Sequence, residues 1–566
     1  MPIPPQAPPP KGAHRAPLSR PPHPPRAPSQ PHPLPPRLTP RLTDQPLTGP
    51  LSAPRTLYRD AHVWVVEKPA GWLTHPDGEG RRPDVVSALE AERAREGAGG
   101  SPLGVHQRLD VCTSGVIAFS LSPEGARIIS ESTAQEGARE GKRVYLAVVE
   151  GAPPSREGLI DAPVPEQPHL SARTRYEVLR RGEGWSLLRV TPLTGRTHQI
   201  RAHLARLGCP IRGDGRYGDP FDLRAPRPLL HAYELHLAKQ LHRAPPPAEL
   251  TPYLTLELGA LTDPLARCEA LRAGLYLPGV NDCYRLINGA ADGLTGWHVD
   301  RYGDWLWVIQ GEGTALGPLP AARGAYLLEA LVDRSHGAQR APSLWRGEAA
   351  PEPLTLSEAG VRYSLSLSDQ LSTGLFLDQR PQRAWLAALP RLEGRPLGRV
   401  LNTFAHAGGF SIAAAVGGAE TVSVDLSERW LARVPEQIAL NGLNPRDHLT
   451  LTGDVFDWLR RLAKRGERFD LIILDPPSTS VGKKKRRWSA KRDYPELVAL
   501  ALPLLAPGGR LLTATNHRQL SPRRFAELVY GALPDAVRLE RVCAPGIDFP
   551  TPGSLEVKNL IWRDLR

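Results

Sequence analysis

Apolar and polar positions change their rhythm twice along the chain, and each change marks a different kind of structure. From about Leu57, short β-branched runs (HVWVVEKP, GVIAFSL, VYLAVVEG, WSLLRVTPL) alternate with turns marked by Gly and Pro. This texture predicts a mostly antiparallel β region with inserted helices, ending near Pro264. One inserted helix is expected over Asp84–Glu96, where Val85, Val86, Leu89 and Glu90 fall at helical spacing, and another where Ile200, Leu204 and Leu207 do so. A mixed stretch from about Leu265 to Leu389 carries strand-like segments at Trp305–Gln310 and Val361–Leu367 and reads as an accessory α/β module. After Arg399, strands and helices alternate: VLNTFAHAGG, a helix through Ala413, TVSVDLS, a helix to Leu440, LTLTGDVF, FDLIILDPP, a long helix, then GGRLLTATN. That order predicts a parallel, doubly wound, Rossmann-like sheet.

The expected fold class is therefore multidomain α+β and α/β. The expected division is residues 1–50 as a tail, 51–263, 264–395 and 396–566. Length agrees, since 566 residues exceed what one core supports at about 150 residues per domain.

Residues 1–50 contain 19 prolines and six Lys or Arg against the single Asp44, a composition that favours solvated, extended chain over a packed core. Overall, 71 basic against 59 acidic residues give a net charge of +12. With a pI near 9.6, this suits a polyanionic partner such as nucleic acid. Five scattered cysteines form no CxxC pair, and no His cluster has zinc spacing, so reduced thiols, no metal and a cytoplasmic location are expected. No run approaches the roughly 18 apolar residues of a membrane helix, and the opening MPIPPQAPPP lacks the apolar core of a signal peptide.

Chemistry concentrates in two places. In HQRLDVCTSG, Asp110 precedes a Thr-Ser-Gly turn and an apolar strand, where a carboxylate can act as nucleophile or base. Downstream, GRTHQIRAHL packs Arg196, His198, Arg201 and His203 closely together, a pattern expected to line the exposed face of a helix. With VVEKPAGWLTHP, KRVYLAVVEG and CPIRGDGRYGDP, these segments resemble the RluA-type pseudouridine synthase family over roughly Leu57–Leu237. The resemblance implies that Asp110 is the nucleophile, attacking uridine at the ribose carbon or at the base. It further implies that Tyr145 stacks on the uracil, that Arg201 pairs with Asp110 and that Arg108 fills the gap left by a flipped base. No cofactor is expected for this half.

In the second half, Gly408 and Gly409 join a strand to a helix and would let the backbone approach a ligand at the helix N-terminus. Asp425 ends the next strand, where a carboxylate can accept from both ribose hydroxyls of a nucleoside cofactor. Asp454 suits an adenine amino group, although an Asp at a strand end is often only a helix cap. Asp475-Pro476-Pro477 after FDLIIL would present a flat base at the carboxyl edge of the sheet, and this series favours S-adenosylmethionine over a nicotinamide cofactor. The half resembles large-subunit rRNA methyltransferases of the RlmI and RlmK type through RLINGAADGLTGWHVDRYGD, STGLFLDQRPQR, Asp425, Asn441 and DPPS, over roughly Tyr284–Trp562. The resemblance implies that Gln379 and Arg380 approach the cofactor, that Asp475 is both catalytic and cofactor-binding, and that the accessory module contributes to RNA binding.

Methylation at cytosine C5 requires a cysteine thiolate. Where cytosine-specific relatives place that Cys, this chain has Asn516 and His517, and Cys543 lies too far along. STGLFLDQR and TNHRQ resemble the guanine-N7 type, and this resemblance implies guanine N7 as the favoured acceptor, with 5-methylcytosine as the alternative. The run Lys483–Arg487 followed by Trp488 could clamp phosphate and stack on a base, or could be a solvated loop. The implied partner is RNA, foremost 23S rRNA or a large-subunit assembly intermediate, with no membrane. Two rival readings remain: one half serves only as an RNA-binding module, or the whole chain is a non-enzymatic RNA chaperone.

Overall fold

The computed structural model describes residues 53–76, 83–97, 101–133, 143–222, 224–237, 240–254, 263–272, 275–276, 278–311, 319–329, 341–369, 372–393, 396–477, 479–481, 487–550 and 557–566; counts below refer to these. The proline-rich first 50 residues and most of the basic run, Lys483 to Arg486, lie outside them.

The first unit is built on a ten-stranded sheet. Its main path runs Arg55–Arg59, Val63–Lys68, Ser114–Ser120, Leu230–Leu237, Arg143–Glu150, Trp185–Pro192, Arg173–Gly182, Glu157–Asp161. Pairing along the path is antiparallel except where Ser114 and Gly115 run parallel to His231 and Ala232. Val63–Val66 and Val144–Val149 are buried on both faces because helices and loops cover both sides, which is why these strands read as continuous apolar runs. The helix over Val85–Arg95 starts where Asp84 accepts from the Ser87 amide and ends at Glu96. The second inserted helix is Gln199–Arg206. Its basic residues do not line an exposed face: Arg201 and His203 are each only 1% exposed. His203 is held by Thr174 and the Ala162 carbonyl, so the helix buries polar groups that have partners.

The middle stretch forms a five-stranded mixed sheet spanning Cys283–Gly347 and a hairpin of Leu354–Glu358 with Val361–Leu365. The hairpin leans on helix Arg433–Leu440, where Asn441 accepts from the Arg362 amide and donates to its carbonyl. The seven-stranded sheet of the last unit has the order His448–Thr452, Glu420–Asp425, Arg399–Thr403, Phe469–Leu474, Leu505–Thr515, Lys558–Asp564, Val537–Cys543. The first five strands are parallel, as the alternation predicts. The last two form an antiparallel hairpin added at the edge. Helix Arg380–Glu393, expected to belong with the accessory module, instead packs Trp385, Leu386 and Leu389 beside Val400, Phe410 and Ile561 of the seven-stranded unit. The last unit thus begins before Arg380, not after residue 395, because the apolar stripe of that helix covers one face of its sheet. Phe221, from the first unit, is buried in the same cluster as Phe456 and Trp488.

Candidate active sites

Asp110 lies just before the strand Ser114–Ser120, its side chain 24% exposed at the rim of the first sheet. Arg201 reaches it with Nη1 at 3.4 Å. The stronger partner of Arg201 is Asp214, which accepts from Nε at 2.7 Å and Nη2 at 2.9 Å in a buried fork. Asp214 also accepts from the amides of Arg216 and Tyr217. Arg201 is therefore fixed by Asp214 and presents its remaining nitrogen to Asp110.

Tyr145 stands on Arg143–Glu150, almost wholly buried. Burial and, less strongly, the Asp110 carboxylate push its hydroxyl above the usual tyrosine range, so it is a neutral ring beside Asp110. Arg108 is exposed two residues before Asp110, and the turn carries it to solvent.

Sequence reasoning assigned no role at this centre to three further residues, of which it named only His198. His198, with φ +55°, caps the helix Gln199–Arg206 and sets Nε2 4.0 Å from Asp110, while Nδ1 meets the Tyr217 hydroxyl at 3.1 Å. Tyr217 is held in turn by Glu166. Lys68, fully buried, donates to the carbonyls of Pro69 and Trp72 and reaches that of Val111, tying down the segment next to Asp110. Burial lowers Lys68 to about 7. Its signal lay in EKP itself, since a lysine after four apolar residues in a strand buried on both faces must find acceptors.

The second site gathers at the carboxyl edge of the seven-stranded sheet, where such folds bind ligands. The loop after Arg399–Thr403 takes Phe404 and His406 through positive φ, +57° and +50°, before Gly408 at +82°. Packing alone already requires glycine at Gly408, because a Cβ there would meet Val434 at 2.7 Å. Gly409 begins the helix Gly409–Val416.

Asp425 accepts from the His406 amide on one oxygen and the Ser427 amide on the other, each at 2.8 Å, which joins the two cofactor-side loops and leaves further lone pairs for a diol. Leu426 beside it is 37% exposed, an apolar surface that suits an adenine face and that the sequence reading missed. Asp454 caps the helix Val455–Lys464, its Oδ1 accepting from Phe456 and Asp457, so the capping alternative describes that oxygen.

Asp475 follows the strand Phe469–Leu474, and Gln379 Nε2 donates to it at 3.1 Å. Burial, reinforced by Asp378, raises Asp475 to about 7. Burial likewise raises Asp378 to about 6. Gln379 Oε1 is buried without a hydrogen-bond partner among the described residues. An orphaned acceptor beside a carboxylate fits a ligand that brings its own donors, as the ammonium end of S-adenosylmethionine does.

Arg380 does not approach this edge as expected. Its guanidinium forks onto Asp548, with Nη1 at 2.9 Å, and donates to the Cys283 carbonyl, because a buried guanidinium must spend its donors on fixed partners. Trp488 is not a free stacking surface either. It is 7% exposed in the core, with its indole N–H on the Pro477 carbonyl at 2.7 Å. Tyr494, which no motif flagged, places its hydroxyl 2.8 Å from the Leu474 carbonyl and 2.9 Å from that of Ala514, fixing the strand ends beneath Asp475.

These two centres define a two-enzyme chain: a pseudouridine synthase followed by an S-adenosylmethionine-dependent methyltransferase. Residues 62–206 match the RNA pseudouridylate synthase family, and residues 319–563 match the S-adenosylmethionine-dependent methyltransferase family. The second half is 37% identical over 284 residues to a ribosomal RNA large subunit methyltransferase of Deinococcus radiodurans, covering 48% of this chain and 68% of that one. It is 34% identical over 280 residues to the putative ribosomal RNA large subunit methyltransferase YwbD of Bacillus subtilis, covering 47% and 69%. A putative SAM-dependent methyltransferase structure from Streptococcus mutans aligns at 25% identity and a TM-score of 0.46, covering 57% of this chain and 84% of that one. The chain belongs to the large-subunit ribosomal RNA methyltransferase family and carries the synthase domain ahead of that half.

Proposed function

We propose that the protein isomerises a uridine to pseudouridine and methylates a base, both in large-subunit (23S) rRNA, in the cytoplasm, with guanine N7 as the methyl acceptor. The carrying observation is that each half sets a carboxylate at a rim beside a fixed partner. Asp110 is part-exposed beside the fixed guanidinium of Arg201. Asp475 is half-buried at the sheet edge, with Gln379 donating to it, and desolvation raises it to about 7.

In the synthase half, Asp110 attacks the nucleoside at the ribose carbon or at the base. The glycosidic C–N bond breaks, the uracil turns, a C–C bond to the ribose forms, the bond to Asp110 breaks to return its carboxylate, and the ring carbon gives up its proton as the freed ring nitrogen takes one up. Tyr145 supplies the stacking face, and Arg108 stands where it can replace a flipped base. No step in this half calls for a cofactor.

In the methyltransferase half, Gly408, Gly409, Asp425 and Gln379 would hold S-adenosylmethionine, with the second oxygen of Asp454 available to its adenine. When bound, that cofactor supplies a methyl group on a sulfonium centre. Asp475, raised to about 7, offers acceptor oxygens and, when protonated, a donor to the edge of a base. Support for a ring nitrogen over cytosine C5 comes from Cys543: its thiol is buried and pushed up to about 12, so it supplies no thiolate. Attack by a guanine N7 lone pair requires only orientation.

The test is nucleoside mass spectrometry of ribosomal and transfer RNA from a deletion strain rescued by wild type, Asp110→Ala or Asp475→Ala. Loss of one pseudouridine with the first variant and of one methylated guanine with the second is expected. A strain that lacks neither modification overturns the reading.

A further inference from the structure

We infer that Phe376 is the platform on which the base to be methylated stacks; this rests on the methyltransferase reading above. Along Thr373–Leu389 burial takes in apolar and polar side chains alike, Leu375, Leu377, Trp385 and Leu386 among the former. Gln379, Arg380, Gln382 and Arg383 are buried, whereas the phenylalanine among them is 51% exposed. Phe376 is also the only aromatic among the exposed large hydrophobic side chains of the described residues. A segment that takes charges inside and leaves its most apolar ring outside holds that ring for something that arrives later.

Its position says what arrives. Three residues on, Gln379 binds Asp475, so Phe376 sits one short turn from the residue that holds the DPP carboxylate. On its other side, the Phe376 ring lies 5.0 Å from the His406 ring in the cofactor loop, and His406 lies 3.9 Å from Trp430. The ring thus ends a ladder of three rings and stands between the groups assigned to the cofactor and the acid assigned to the base edge. A planar nucleobase, with an aromatic face and a hydrogen-bonding edge, matches an exposed ring one turn from Gln379, the partner of Asp475.

The ring is also pre-positioned. The Phe376 carbonyl accepts from the Gln379 amide and from Arg383 Nη1 at 2.8 Å. Arg383 is itself forked onto Glu358 with two 2.7 Å bonds. Trp488, the stacking candidate offered by the sequence, is engaged in the core, which leaves the role to Phe376.

The experiment compares Phe376→Ala, Phe376→Leu and Phe376→Trp in the full chain. It measures S-adenosylhomocysteine binding by calorimetry, and methyl incorporation and pseudouridine formation in an unmodified large-subunit rRNA transcript. Ala and Leu are expected to lower methylation efficiency about 5- to 150-fold, the range for one lost base–aromatic stack. Trp should retain it, and cofactor affinity, pseudouridine formation and Tm should stay unchanged in all three. Weakened S-adenosylhomocysteine binding would make the ring a cofactor contact and overturn the inference, as would a Leu variant as active as wild type. A wild-type chain that forms pseudouridine but incorporates no methyl group overturns the parent reading and this one with it.

Discussion

A carboxyl group that keeps its proton near neutral pH stores its environment in its titration, and Asp475 offers a direct readout of the second site. Burial, with Asp378 nearby, raises it from 3.8 to about 7. The folded chain holds a proton that the unfolded chain has lost, so stability falls as pH rises from about 4 to about 7, and the deficit persists above that window. Asp475→Asn keeps an acceptor for Gln379 and removes the charge. In the absence of cofactor, the variant is expected to melt above wild type at pH 8 and together with it near pH 4. Parallel melting curves across that range would show that Asp475 is ionised at no cost. The same substitution should depress methylation, separating stability from function at one residue.

Among the elements, the turn into helix Gly409–Val416 has little tolerance for a side chain. Gly408 combines φ +82° with a would-be Cβ 2.7 Å from Val434, so Gly408→Ala meets backbone strain and a clash together. The left-handed conformation costs about 1–2 kcal/mol for an L-residue. Overpacking adds about 1–3 kcal/mol. Gly408→Ala should lower Tm, and adding Val434→Ala should restore the packing part only. Full restoration would mean that backbone conformation is unimportant there; no restoration would mean that Val434 is not the obstacle. The helix itself was readable from IAAA and the double glycine. The reason for the first glycine was not, because Val434 approaches from a helix 26 residues downstream.

Across the whole molecule, the accessory sheet and the methyltransferase are tied by a buried contact. Asp548, with no exposed surface, accepts from both Arg380 and the Arg285 amide. Asp548→Ala would strand the Arg380 guanidinium, which typically costs about 3–5 kcal/mol when one partner of a buried pair is removed. Methylation and the melting of the second half should fall, whereas pseudouridine formation should persist, since the ten-stranded sheet makes no use of this contact. Loss of both activities would show that the halves depend on one another for folding.

The sequence by itself determined the broad layout: a β-rich first region, an alternating last one, and the motif residues Asp110, Tyr145, Asp425 and Asp475 at strand ends or beside them. These follow from local rules, because side-chain period, turn residues and strand-end carboxylates act within a few neighbours. Tertiary structure alone decided which charges hold one another. Asp214 rather than Asp110 clamps Arg201, Asp548 takes Arg380 from the cofactor edge, and Pro477 takes the Trp488 indole from the solvent. It also decided that Phe376, flanked by the buried Leu375 and Leu377, is the ring left exposed. A guanidinium or an indole is satisfied by whichever acceptor the packed chain brings within about 3 Å, and that acceptor can lie anywhere along the sequence.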